Sequence, residues 1–276
     1  MPDIHLPQGV MHVPSEPFRW VQAMHNRREY ILERLREDSP VVGLSCERGI
    51  LLFTVSAQSR KNYEIYDRIA FGGMGHPADV ERIRLMAIDL AHIEGFTRSV
   101  QDVTLRRLVN FGICPAVKHA FELVHEAPFV FRSIFAELGE TSRSNLFCRV
   151  DFDGSSGFNM SSADGSGQPY CVVGSTPASE AEMLEFLADR VRSINHNMEE
   201  AVQIAAQAWT VGMEAIRRSA FEEPNYDAAS LKRKWKELQT RHSGVQMMLL
   251  DRDLKSDCKC HIATQDEIKG FLQNWK

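Results

Sequence analysis

Residues 41–55 read VVGLSCERGILLFTV, two runs of apolar and β-branched residues, Val41–Cys46 and Gly49–Val55, separated only by Glu47-Arg48. Neither run alternates polar with apolar side chains, the pattern of strands covered on both faces, and the short break joins them tightly. Upstream, Asp38-Ser39-Pro40 ends a helix, because the residue before a proline is pushed out of the helical region. That helix starts at Pro17 and carries a ragged apolar stripe of Val21, Met24, Tyr30, Ile31 and Leu35 on a charged segment. Before it, Met1 to Glu16 holds three prolines and a glycine without periodicity, which predicts an extended arm.

Downstream, a polar loop from Ser56 to Asn62 leads to an extended stretch, Tyr63 to Gly73. The run Gly72-Gly73-Met74-Gly75 reads as a tight strand-to-helix turn, since it lacks the lysine and hydroxyl residue of a phosphate loop. A helix then opens at Pro77, with Val80, Ile83, Ala87, Leu90 and Ala91 on one face, and Gly95 closes it. A second begins after Asp102 as N-cap and runs to Pro115 or through it to Val124. Strands return at Phe129–Leu138, Asn145–Phe152, Gly157–Ser161 and Tyr170–Val173. Two helices follow: one capped by Ser179 or a neighbour, and Met198–Ser219 with a small-residue face that implies close packing. The basic segment Leu231–Thr240 forms a short helix, Gly244–Asp251 a buried strand and Asp266–Trp275 a last helix. Runs of strands alternate with runs of helices, which excludes a Rossmann or barrel plan and predicts a layered α+β fold.

Composition excludes several functions. The 276 residues carry a formal net charge of -5, with 43% hydrophobic and 25% charged residues, so a sequence-independent nucleic-acid binder is not expected. No apolar run reaches membrane-spanning length, and no secretory signal precedes the first helix, so a cytoplasmic protein is expected. Six scattered cysteines suit a reducing compartment. Cys258-Lys259-Cys260-His261 could supply soft metal ligands, but no second pair stands at zinc-site spacing. It reads as a strand end, and neither metal nor cofactor is expected. Asp151-Phe152-Asp153-Gly154 lacks the glutamate of a calcium loop and reads as a hairpin turn. His92, His119 and His125 have no partner ligand at i+4 and take surface or capping roles.

Taken in order, Val42-Gly43-Leu44, Gly49-Ile50-Leu51-Leu52, Tyr66-Asp67-Arg68-Ile69-Ala70-Phe71 and Gly75 followed by Asp79 resemble the first strands of the proteasome superfamily and their turn into a helix. Gln22-Ala23-Met24 and Arg27 to Tyr30 resemble the N-terminal helix of its α-type branch. Arg149 to Gly154, Val173-Gly174-Ser175, Met198–Trp209 and Val245–Arg252 are similar to its later elements, and coverage is roughly Gln22 to Cys260. The resemblance implies a four-layer αββα sandwich of the N-terminal-nucleophile hydrolase type. It divides into 1–40 (arm and α-type helix), 41–262 (sandwich) and 263–276 (C-terminal helix and tail).

Catalytic members of that superfamily attack with an N-terminal threonine whose own amine is the base, tuned by a lysine and an aspartate. Laid on this chain, the nucleophile falls at Ser39, the aspartate at Val55 and the lysine at Lys61. Ser39 is internal and flanked by Asp38 and Pro40, and Val55 carries no charge, so no catalytic residue is expected. In α-type subunits the lysine, here Lys61, lies with Gly75 in a pocket that receives an activator's C-terminal carboxylate. The activator is typically a ring ATPase ending in a hydrophobic-tyrosine-any motif. Asp38 departs from the small residue common there and would weaken capture of an anion. The implied function is a non-catalytic ring subunit that docks an activator and controls substrate entry. Its implied partners are copies of itself, a catalytic β-type subunit, the activator and unfolded proteins. The alternatives are a self-processing hydrolase of the same fold and a divergent ring scaffold without a role in degradation.

Overall fold

The computed structural model describes residues 17–57, 59–160, 167–191, 196–218, 224–242, 244–273 and 275. Met1–Glu16, where an extended arm is expected, lies outside them. The chain begins with helix α1 (Pro17–Leu35), then strands β1 (Val41–Ser45), β2 (Gly49–Val55), β3 (Asn62–Tyr66) and β4 (Ile69–Gly75). Helix α2 (Pro77–Thr97) follows, then α3 (Leu105–Leu108), a π-helical turn (Val109–Ile113) and α4 (Cys114–Glu122). Next come β5 (Phe131–Glu137), β6 (Leu146–Asp151), β7 (Ser156–Met160), β8 (Tyr170–Val173), α5 (Pro177–Arg190) and α6 (Met198–Arg217). Helix α7 (Ala228–Arg241), β9 (Val245–Asp251), β10 (Cys260–Ile262) and α8 (Gln265–Gln273) complete it.

The strands form two five-stranded sheets, ordered β10-β9-β2-β1-β8 and β3-β4-β5-β6-β7, in which every pairing is antiparallel. Alternate residues of β1 and β2 serve different cores. Val41, Ile50 and Leu52 face the second sheet, while Val42, Leu44, Leu51 and Phe53 face α5, α6 and α7. Helix α2 covers β3 and β4 on the outer side of the second sheet. The result is the expected α+β sandwich of two stacked sheets between helical layers. Among the described residues, no helix is long and apolar enough to cross a membrane.

Local readings fail where tertiary contacts supply what the chain lacks. Tyr63–Gly73 is not one extended stretch but a hairpin, turned at Asp67-Arg68. Gly72-Gly73-Met74-Gly75 lies inside β4 rather than in a turn, because β4 is a central strand pressed between neighbours. A Cβ built at Gly73 would stand 2.8 Å from Val80 Cγ1. The predicted cap Asp102 ends a 3-10 turn, and the free N-terminus of α3 is capped from another strand: Leu105 N–H donates to Glu137 Oε2 at 2.9 Å. The helical path does pass Pro115, through the π turn placed just ahead of it. Gly95 does not end α2, which reaches Thr97.

On α1 only part of the predicted stripe is inside. Ile31 and Leu35 are fully buried and Met24 partly so, whereas Val21 and Tyr30 are 58% and 55% exposed. Polar contacts hold the helix as well: Arg27 donates to the carbonyls of Ala120 (3.3 Å) and Glu126 (2.9 Å), and Arg28 pairs with Asp153 at 2.5 Å. Asp153 belongs to the β6–β7 turn, closed by Gly154 at φ +78°, so the Asp151–Gly154 run is the expected hairpin turn. Small residues on α6 permit its close approach to α5, since a Cβ at Gly212 would lie 2.4 Å from Met183 Sδ. His92, His119 and His125 are all exposed.

Phe71 and Phe135, fully buried on β4 and β5, meet with ring centroids 4.9 Å apart and planes tilted by 52°. Phe135→Ala opens a cavity there and is expected to cost about 3–5 kcal/mol, read as a lowered urea midpoint of the isolated chain.

Candidate functional site

The short link between α1 and β1 brings Asp38 and Ser39 against the start of β3 and the end of β4. Lys61 is 5% exposed and held from both sides of its backbone. Its N–H donates to Gln246 Oε1 on β9 at 2.8 Å, and its carbonyl accepts from Gly73 N–H at 2.9 Å. Gln246 in turn donates to the carbonyls of Ser56 and Ser59, which fixes the loop that carries Lys61. Gly75 sits at φ +123°, and a Cβ there would stand 2.2 Å from the Val130 carbonyl oxygen, so only glycine brings its N–H into this corner.

Lys61 and Gly75 both reach one group, the Asp38 carboxylate, which stands between them. The Asp38 carboxylate accepts from the Lys61 ammonium and the Ser39 N–H through Oδ1, and from the Gly75 N–H through Oδ2. Lys61 also donates to the Ser39 carbonyl at 3.1 Å. A cation and a backbone N–H converging on one carboxylate make an anion receptor, here filled by the chain's own side chain. Sequence reading placed Asp38 only as a neighbour unfavourable to anions. The direct ligation depends on the turn after Leu35, which no spacing rule encodes.

The nucleophile position is built differently. Ser39 is 6% exposed, its Oγ accepts from the Trp209 indole N–H at 2.8 Å, and Thr54 Oγ1 lies 3.4 Å away. Thr54 donates to the Pro40 carbonyl at 2.7 Å, and Val55 is fully buried. Lys61 touches the Ser39 carbonyl rather than its hydroxyl, and the Ser39 nitrogen is a peptide amide, so neither base of the threonine mechanism reaches Oγ. Trp209 and Thr54 were missed at the sequence level because they arrive from α6 and β2, far apart in the chain.

A second polar cluster braces the sandwich. Arg132 reaches Asp151 at 2.6 Å, Glu180 at 2.7 Å and the Gly174 carbonyl at 2.7 Å, while Arg149 pairs with Glu180 and, at 3.3 Å, Asp151. Burial works against the Arg132 charge, but Asp151 and Glu180 outweigh it and raise its pKa above the ordinary value. It ties β5, β6 and the start of α5 together.

Two stacked antiparallel sheets between helical layers, entered through a leading helix, define a proteasome-type sandwich. Among the proteins similar to the chain are several named proteasome subunit alpha. That of Streptosporangium roseum is 34% identical over 149 residues, covering 51% of this chain and 56% of the relative. That of Streptomyces scabiei is 29% identical over 68% of this chain and 71% of its own length. That of Pseudarthrobacter chlorophenolicus is 26% identical over 79% of this chain and 92% of its own length. The chain thus spans little more than half of the first relative and nearly all of the third. No family model matches it. The chain is similar to bacterial proteasome α subunits over about half to four fifths of its length, and its sandwich is of their type.

Lys61→Met strands the Asp38 carboxylate without its cation. Because Asp38 keeps 23% of its side-chain surface in water, the expected loss is at or below about 3 kcal/mol, measured by chemical denaturation. Trp209→Phe removes the donor to Ser39 Oγ and should cost about 1–2 kcal/mol in the same assay.

Proposed function

We propose that this chain is a non-catalytic α-type subunit that forms the outer ring of a 20S-like proteasome in the cytoplasm and governs the entry of unfolded proteins. The observation that carries the proposal is the state of the Ser39 position in a chain related to α subunits. Its hydroxyl is sealed under the Trp209 indole, its nitrogen is an internal amide, and no carboxylate stands at Val55. Such a subunit contributes architecture and access, while cleavage belongs to a separate β-type ring.

Exposed apolar side chains support assembly with further chains. Phe18 and Val21 on α1 are 76% and 58% exposed, and Phe96 on α2 and Phe111 on the π turn are 93% and 77% exposed. Large apolar side chains this exposed are available for a partner to cover. The partners proposed are neighbouring copies of this chain and the β-type ring. Native mass spectrometry of the chain co-expressed with a β-type subunit tests this. A mixed barrel with this chain at full mass is expected; a chain cut before Ser39 overturns the non-catalytic reading, and a chain that ignores the β-type subunit overturns the ring reading.

In the same reading, Lys61 and Gly75 receive the C-terminal carboxylate of a ring ATPase or other activator after Asp38 swings away. Docking is then a competition between two carboxylates for the same donors. A peptide ending in a hydrophobic-tyrosine-any sequence, titrated by fluorescence anisotropy against the assembled ring, should bind about tenfold more tightly to Asp38→Gly than to the parent. Lys61→Ala should abolish binding, as should amidation of the peptide. Equal affinity for the free and amidated peptides counts against this pocket. Deleting Met1–Glu16 should raise peptide hydrolysis by the reconstituted barrel if that arm restricts entry; unchanged turnover counts against gating by the arm.

A further inference from the structure

Strand β10 is one edge of the first sheet and β3 one edge of the second. The two edges meet through main-chain bonds. Lys259 N–H donates to the Asp67 carbonyl in the β3–β4 turn at 2.7 Å, and the Lys259 carbonyl accepts from Asp251 N–H at 2.7 Å. That clamp fixes the Cys258–Cys260 segment opposite Glu64 on β3. One ligand atom from each of Glu64, Cys258 and Cys260 lies within 4.8 Å of the other two. Both thiols are half-buried and Glu64 is exposed, so the cluster opens to solvent on one side.

His261, the histidine of the C-x-C-H run, points elsewhere. Its ring pairs with Glu267 of α8 at 3.1 Å, and it lines a separate hollow with Met247 and Leu249. The donor missing from the sequence motif comes instead from the other sheet.

We propose that Glu64, Cys258 and Cys260 bind one thiophilic divalent cation, of which Zn2+ is the type. Two thiolates set the preference for a soft or borderline metal over Mg2+ or Ca2+, and a carboxylate oxygen is an ordinary third ligand for zinc. Each thiol gives up its proton to solvent as it coordinates. Three protein ligands leave the fourth tetrahedral position to water on the exposed side. A cation here staples the edges of the two sheets together and anchors the segment that carries α8, so its consequence is structural: metal bound to the folded chain alone stabilises it by mass action. All three ligands come from one chain.

The test uses the full-length chain, reduced and stripped with chelator, then titrated with Co2+ and competed with Zn2+. A thiolate-to-cobalt charge-transfer band that saturates at one equivalent and is displaced by Zn2+ is expected. Cys258→Ser and Cys260→Ser should each abolish the band, and Glu64→Gln should weaken binding by about tenfold or more. Cys171→Ala, at a buried thiol of the sandwich core, should retain it. Zn2+ should also raise the melting temperature of the parent but not of Cys260→Ser, and should shield Cys258 and Cys260 from alkylation. Absence of the band, its survival in both serine variants, or Glu64→Gln binding like the parent overturns the site. Retention of a Cys258–Cys260 disulfide in glutathione at reducing poise does so too.

Discussion

Burial of the β1–β2 hairpin on both faces is the constraint from which the rest of the structure follows. Its residues alternate between the inter-sheet core and the helical layer above, so neither face can be left to solvent, and a second sheet and a pair of helices must close over them. β1 also carries, just ahead of its first residue, the Asp38-Ser39-Pro40 link. The link's position is thus set by the best-packed part of the molecule. A polar corner attached to such a strand is held rigidly, because a shift of the hairpin by one residue would exchange its two faces.

The proposed reading sets this link apart from the corresponding position of a catalytic proteasome subunit. In a catalytic subunit the equivalent of Ser39 would be a free terminus facing a lysine and an aspartate. Here α1 continues into it, the indole of Trp209 covers the hydroxyl, and Lys61 is turned toward the Ser39 carbonyl and the Asp38 carboxylate. The negative charge that Lys61 meets is a side chain of its own chain. An anion receptor that is occupied from within makes release of Asp38 a condition for any external carboxylate. The affinity of a docking partner would carry the cost of that exchange.

Outside the sandwich core, polar contacts join parts that hydrophobic burial leaves loose. Arg27 and Arg28 fasten α1 to α4 and to the β6–β7 turn, and the Arg132 cluster fastens β5 to α5. Much of the apolar surface of α1 remains uncovered within a single chain, as the exposure of Val21 and Tyr30 shows. The helix is thus held by Ile31, Leu35 and its polar contacts, while its outer apolar residues stay open to solvent.

The sequence by itself determined the strands with buried faces, the small-residue packing of α6 and the hairpin at Asp153-Gly154, because each rests on local pattern. It misplaced the Gly72–Gly75 run, the cap of α3 and the outer part of the α1 stripe. There the deciding partner is distant: a neighbouring strand, Glu137, or a surface no intrachain neighbour covers. Tertiary structure alone decided that Asp38 fills the Lys61–Gly75 corner, that Trp209 seals Ser39, and that Glu64 stands beside Cys258 and Cys260. Spacing along a chain reports which residues share a face of one helix or strand. Which side chain from another sheet completes a site is fixed only when the two sheets stack and their edges come into register.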